Sequence, residues 1–366
     1  MLRSCEGNSP NLQRRFAAHR RALAANLFAG TARNHRGNLA ACLQSEKIFA
    51  RPVLFSGLGS LALSNLEINM IDQHWLTTLR NILKTHQGTP QSVILFLSGN
   101  LPGKAQLHLK QLSIFSMITR LPSDPLHSRA KHVLTSGFSS CKSWFFQVRD
   151  ICVLYNLPHP LQLLSNPIPK DQFRKLTRSR VTDYWETRLR QEAALLLSLT
   201  YFKLQFHSLS TPHPLLWTPG PNSHEVSKSL VQLRTLSGHY RVAKLTRHWS
   251  PTNRSGCCPA PLCPDLETLE HLLIDCSYYH QLRARLKMAW YRASNPKLYL
   301  ILSTILSSST QDLVQFLLDP SVHPSVIALG QSEGQGSLRL IFHLTRTWCY
   351  SVHRERLRLL NSFRFD

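Results

Sequence analysis

Apolar residues recur at three- and four-residue spacing along most of this chain, the pattern of helices that each bury one face. In "LQRRFAAHRRALAANLFAG" Leu12, Phe16, Leu23 and Leu27 share a stripe, and Gly30 is placed to stop the helix. The segment 52–88 predicts a second helix whose apolar positions include Leu66, Ile68, Ile71, Trp75, Leu79 and Leu83. "GTPQSVILFLSGNLPG" has turn residues at both ends and leaves room between them for a short strand or a buried helix start. "KAQLHLKQLSIFSMITRL", "SWFFQVRDICVLYN" and "KDQFRKLTRSRVTDYWETRLRQEAALLLSLTYF" each read as helices. Near the end of the chain Ile341, Leu344, Trp348 and Val352 form another stripe, with Arg346, His353, Arg354, Arg356 and Arg358 read as lying largely off it. The expected fold is therefore mainly α.

Proline changes the texture once. "STPHPLLWTPGPNSH", residues 210–224, holds four of the 21 prolines and reads as a linker. Beyond it, 228–254 carries Lys228, Arg234, Arg241, Lys244, Arg247 and Arg254 with no acidic residue, and His239, Tyr240, His248 and Trp249 interleave with them. Cations neutralise phosphates and flat rings stack on unpaired bases. The same stretch reads equally well as a solvated helix face with its aromatics turned to the core.

Charge widens the case. With 366 residues, 43 Lys and Arg stand against 20 Asp and Glu, a formal charge of +23. Such a surplus repels itself unless something anionic neutralises it, and nucleic acid is the commonest such partner. A membrane surface is the other option. No apolar run approaches the roughly eighteen residues that span a bilayer, and "MLRSCEGNSPNLQRRF" lacks the apolar core of a signal peptide. An intracellular setting, nuclear or cytoplasmic, follows as the expectation. In a reducing compartment the nine cysteines are poor disulfide candidates, and any cluster among them is a candidate metal site.

One cluster exists, in "CCPAPLCPDLETLEHLLIDC", residues 257–276. Cys258, Cys263, His271 and Cys276 supply three thiolates and an imidazole, a donor set suited to one closed tetrahedral zinc ion. The first pair lies in a proline-rich turn. The second flanks a stretch that reads as a helix opened by Asp265, with Glu267 and Thr268 in its first turn. Cys257 competes with Cys258 as the first ligand, and His280 competes distantly with His271. Cys5, Cys42, Cys141, Cys152 and Cys349 are scattered and read as small buried hydrophobes.

"CCPAPLCPDLETLEHLLIDCSYYHQLRARL" resembles the cysteine–histidine knuckle near the C-terminus of non-LTR (LINE-type) retrotransposon reverse transcriptases. In that family two cysteines precede an acidic "ET-x-EH" helix, a last cysteine and then "Y…R". "LRTLSGHYRVAKLTRHW" is similar to the family's lead-in to the knuckle, "LFAGTARNHRGNL" to the helical thumb, and "FLLDPSVHPSVIAL" with "LTRTWCYSVHRERLRLL" to its tail. The segments between look like the connector. The likeness is most specific over 257–286 and 343–360.

The resemblance implies a division into a basic thumb-like segment at 1–53, a helical connector at 54–209, a proline-rich linker at 210–227, a basic lead-in with the zinc knuckle at 228–290 and a helical tail at 291–366. It implies RNA or DNA as partner, and a reverse transcriptase core upstream if the chain belongs to a longer one. On this reading Arg234, His239, Tyr240, Arg241, Lys244, Arg247, Trp249, Arg346, Arg354 and Arg358 contact nucleic acid. Polymerisation needs paired carboxylates on divalent cations, and no two Asp residues are adjacent here. No catalytic residue is assigned, and pairs such as His353 with Glu355, or His74 beside Asp72, read as surface polar groups. The competing expectation is a decayed open reading frame, or a helical protein-interaction scaffold without an activity of its own.

Overall fold

A computed structural model of the chain describes residues 8–26, 39–121, 128, 132, 143–196, 199–219, 222–243 and 256–362. Among them there are sixteen α-helices and no strand, so the mainly α expectation holds. The first group comprises α1 (Ser9–Asn26), α2 (Leu39–Ser45), α3 (Arg51–Phe55), α4 (Asn65–Leu83), α5 (Gln91–Ser98) and α6 (Gly103–Thr119). A π-helical turn, Glu46–Ala50, joins α2 to α3. Then come α7 (Trp144–Leu154), α8 (Pro160–Ser165) and α9 (Lys170–Ala194). After the prolines follow α10 (Pro214–Trp217), α11 (Ser223–Leu236), α12 (His280–Ala293), α13 (Pro296–Leu306), α14 (Thr310–Leu318), α15 (Pro324–Glu333) and α16 (Gln335–Ser362).

In the N-terminal part α6 packs against α4, α7 and α9. The stripe read in 52–88 is real: Ile68, Ile71, Trp75, Leu79 and Leu83 are buried, while Leu66 faces solvent. A reciprocal cap starts α4, with Ser64 Oγ accepting from the Glu67 N–H and the Glu67 carboxylate accepting from the Ser64 N–H. That carboxylate also accepts from the N–H of Asn8 at 2.8 Å, tying the start of α1 to the start of α4. The ambiguous "SVILFLS" is a helix buried on all sides, which explains why its apolar positions show no period.

The C-terminal part is built on α16, which packs against α11, α12, α14 and α15. Its stripe is wider than expected, because Phe342, Thr345, Arg346, Cys349 and Arg356 are buried beside Ile341, Leu344, Trp348 and Val352.

The expected linker is a packed connection, which corrects the sequence reading of 210–227. Leu215 and Leu216 are fully buried, and α10 packs against α2 and α11. The His213 N–H donates to Leu97 O at 2.9 Å. Proline serves here to start α10, where its missing N–H leaves no bond unmade. The expected 53/54 boundary falls inside α3.

Two features set stability. Gly99 ends α5 at φ +62, and a Cβ there would collide with the backbone of Thr211 and Pro212, so only glycine lets the two halves meet. Histidines are held neutral inside the bundle. Trp185 Nε1–H donates to the Tyr155 hydroxyl at 2.9 Å, and that hydroxyl lies 2.8 Å from His108 Nδ1, the acceptor left to it. Burial first, then Lys104, pushes the His108 pKa down to about 3. His19 and His74, in contact at 3.0 Å between α1 and α4, are both pushed down to about 4, chiefly by burial. His74 is thus an interior group paired with His19, which corrects its reading as a surface polar residue.

Gly99→Ala should lower unfolding free energy by roughly 2–4 kcal/mol, strain plus clash, read as a fall in the urea midpoint at unchanged slope. Acid should destabilise the bundle before its carboxylates titrate. The folded pKa values of these histidines lie below the unfolded one near 6.5, so the unfolded chain binds more protons and stability drops as pH falls from about 6.5 towards 4. Urea midpoints at pH 7 and pH 5 measure this, and the midpoint at pH 5 is expected to be the lower.

Candidate metal centre

The four cysteine and histidine ligands expected from sequence come together, by two local devices. Residues 256–267 form a loop closed on itself. The Cys258 N–H donates to Asp265 O at 2.8 Å, the Glu267 N–H to Gly256 O at 3.0 Å, and Cys257 and Leu266 form a bridge. At its tip Leu262 adopts φ +60 and is fully exposed, while the Cys263 N–H donates to Ala260 O at 3.2 Å.

The other half is a helical turn, but a later and wider one than the sequence reading gave. Asp265, Glu267 and Thr268 precede it, and Thr268 Oγ1 accepts from the His271 N–H at 3.1 Å. His271–Asp275 is π-helical, closed by the Cys276 N–H on His271 O at 2.8 Å. Five residues apart on an α-helix, His271 and Cys276 would point about 140° from one another. The wider π turn brings them towards one face.

Cys258 Sγ lies 3.8 Å from Cys276 Sγ, and Cys263 Sγ lies 3.3 Å from His271 Nε2. The four ligand atoms fall within 4.8 Å of one another. A tetrahedral zinc with Zn–S near 2.3 Å and Zn–N near 2.0–2.1 Å sets its ligands about 3.8 Å apart (S to S) and about 3.6 Å apart (S to N). The arrangement therefore fits a four-coordinate metal, and the sulfurs are far too distant for a disulfide. Cys257 is outside the group, so among the described residues it is Cys258 that joins the cluster. His280 is also outside it.

Burial pushes the Cys258 and Cys276 thiols up, so the dry cluster disfavours bare thiolates. A divalent cation reverses that preference, since it stabilises the deprotonated sulfur directly. Asp265, at 3.8 Å from His271 Nδ1, stands where an outer carboxylate can orient the imidazole.

The knuckle shares its core with α16 instead of standing alone. Glu267, expected to lie in the first turn of a helix, is fully buried and accepts from Arg356 through both carboxylate oxygens, Nε at 2.5 Å and Nη2 at 2.7 Å. It also accepts from the Ala243 N–H. Trp348 Nε1–H donates to Leu273 O at 3.3 Å, and the Arg283 guanidinium donates to Cys276 O.

Of the residues expected to touch nucleic acid, Arg234, Arg241, Arg354 and Arg358 are exposed, the last held by Glu355 at 2.7 Å. His239 is half-buried. Tyr240 is buried, with its hydroxyl 2.8 Å from His353 Nδ1, so it supports the surface from beneath. That contact also takes His353 from the surface role given it with Glu355. Arg346 requires a correction. It is 1% exposed, donates to Thr218 Oγ1 at 2.7 Å and lies 3.6 Å from Glu225, so its guanidinium is committed inside the protein. Lys244, Arg247 and Trp249 lie outside the described residues. Arg356, expected off the apolar stripe, is instead an interior anchor one turn beyond Val352, bonded to Glu267.

A second convergent group is His207, His213 and Asp319. Asp319 Oδ2 lies 2.9 Å from His207 Nε2 and 3.3 Å from His213 Nε2. The Leu215 N–H donates to His213 Nδ1 at 3.1 Å, which puts the ring proton on Nε2. On His213 that protonated nitrogen has no lone pair for a metal and faces the buried Asp319 carboxylate instead, beside His207. The proximity of the two imidazoles keeps the Asp319 pKa far below the usual range against the opposing effect of burial.

Glu267→Ala would leave the Arg356 guanidinium buried without its partner, and should lower stability by about 3–5 kcal/mol. Thermal unfolding and metal content of the variant check this, and metal retention is expected to weaken with the fold. Comparison with protein-family models, with curated proteins and with solved structures finds no match, so the site rests on its own geometry.

Proposed function

We propose that this chain is a nucleic-acid-binding module, held at its knuckle by one structural zinc ion on Cys258, Cys263, His271 and Cys276. We further propose that it corresponds to the C-terminal part of a non-LTR retrotransposon reverse transcriptase. The observation that carries the reading is that three sulfurs and one imidazole nitrogen lie within 4.8 Å of one another, with the Cys258 and Cys276 sulfurs 3.8 Å apart, the sulfur–sulfur edge of a zinc tetrahedron. Soft thiolates select zinc over magnesium or calcium, which prefer oxygen. Four protein ligands leave no open position, the condition of a structural site.

The partner follows from charge. A chain of net charge +23 holds exposed Arg234 and Arg241 on the segment that leads into the knuckle, and exposed Arg354 on the helix that carries it. Phosphate contacts of this kind give affinity without reading sequence. No catalytic step is assigned, because the chain has no adjacent aspartates to hold two cations. No described helix is long and apolar enough to cross a membrane.

The test is metal content per chain together with RNA and DNA binding at two salt concentrations, on the wild type and on a Cys263→Ser/His271→Ala variant. One zinc per chain and salt-sensitive binding are expected, both lost in the variant. Binding that ignores salt would instead indicate a protein-type interface and sink the nucleic-acid reading.

A further inference from the structure

A cleft of about 400 Å³ opens between the end of α4, the end of α11 and the last third of α16. Arg234, Arg241, Lys84 and His86 line it, with Tyr240 and His353 beneath. Arg356 also lines the cleft but is neutralised by Glu267 behind the wall. Among the described residues no carboxylate lines it and none pairs with Arg234 or Arg241. The His353 pKa is pushed down to about 4 by burial, then by Arg356 and Arg234.

One wall is aromatic. His86, exposed on the turn after α4, stacks on His239 with ring centroids 5.5 Å apart and planes 23° apart. Both rings are fixed by the backbone. The Gly88 N–H donates to His86 Nδ1 at 3.0 Å, and His239 Nδ1 lies 2.9 Å from Ser237 O, to which it donates. The outer face of His86 is thus a flat platform, preset in orientation, beside unpaired guanidinium groups. A nucleotide offers the matching pair of features, an anion and a planar base, and only a single strand leaves the base free to stack.

We propose that this cleft is a nucleotide subsite for single-stranded nucleic acid, in which Arg234 and Arg241 hold a phosphate and the open face of His86 stacks on a base. The proposal rests on the nucleic-acid reading above and adds to it the place and the strandedness of the partner.

The experiment uses the zinc-loaded full chain, a twelve-residue oligothymidylate and its duplex, adenosine monophosphate and inorganic phosphate. The variants are Arg234→Gln/Arg241→Gln and His86→Ala, whose side chains are exposed, with unchanged zinc content as the control for folding. The arginine variant is expected to bind the single strand at least about tenfold more weakly, and its salt slope to fall by about 0.7, the contribution of the one phosphate that the pair no longer neutralises. His86→Ala should weaken oligothymidylate binding about fivefold or more, the effect of removing one stack, and leave inorganic phosphate binding unchanged.

An arginine variant that binds the strand like the wild type, with the same slope, overturns the cleft while the nucleic-acid reading stands on other parts of the surface. Duplex bound as tightly as the single strand overturns the stacking role. Binding of phosphate or the mononucleotide without the strand overturns the assignment to a polymer, and a wild type that binds none of these probes overturns both readings.

Discussion

The buried pairing of Glu267 with Arg356 is the constraint on which the C-terminal half depends. Glu267 has no exposure and Arg356 almost none, so each is tolerable only because the other is there. The pair joins three things that the chain keeps far apart: the metal-ligand loop, the basic lead-in through the Ala243 N–H, and the last third of α16. Two parallel N–H···O bonds define a plane as well as a distance, so the pair fixes the knuckle in rotation as well as in position.

Around that pair the half is organised as one long helix with everything else laid on it. Trp348 holds the turn that carries His271 and Cys276, Lys228 and Gln232 of α11 reach Thr347 and Thr345, and Arg346 ties α16 back to α10 through Thr218. A metal at the knuckle therefore bears on more than a local loop. Bound there, it would clamp the two ends of the segment 258–276, whose middle is bolted to α16 through Glu267, and its loss would loosen the base under the basic surface.

The basic residues divide by burial into two populations with different work. Arg51, Arg283, Arg346 and Arg356 are turned inward and direct their donors to Glu46, Cys276 O, Thr218 and Glu267. Arg234, Arg241 and Arg354 remain outside. The usable charge for an anionic partner is consequently smaller than the composition implies, and it is spread over several faces: exposed cations stand beside the α4–α11–α16 cleft and also on α1 (Arg14, Arg20, Arg21) and α9 (Arg174, Lys175, Arg178, Arg180).

The mainly α class, most helix spans and the four ligands were legible in the order of residues, because helical periodicity and ligand spacing are local properties that survive without a fold. Cys258 and Cys257 stood only as alternatives there, since adjacent residues differ only in where the loop turns them. The proline-rich stretch read as a linker, because local composition does not report that Leu215 and Leu216 find a pocket between α2 and α11. Likewise Arg346 and Arg356 read as surface charge: an arginine is solvated by default, and only a carboxylate or hydroxyl brought from more than eighty residues away makes its burial tolerable. The pairing of His86 with His239 had no signal at all in the chain, for the two lie on separate elements and meet only through tertiary packing. Periodicity and spacing are written into neighbouring residues and can be read there; the burial of charge depends on distant partners, and those are chosen only when the helices pack.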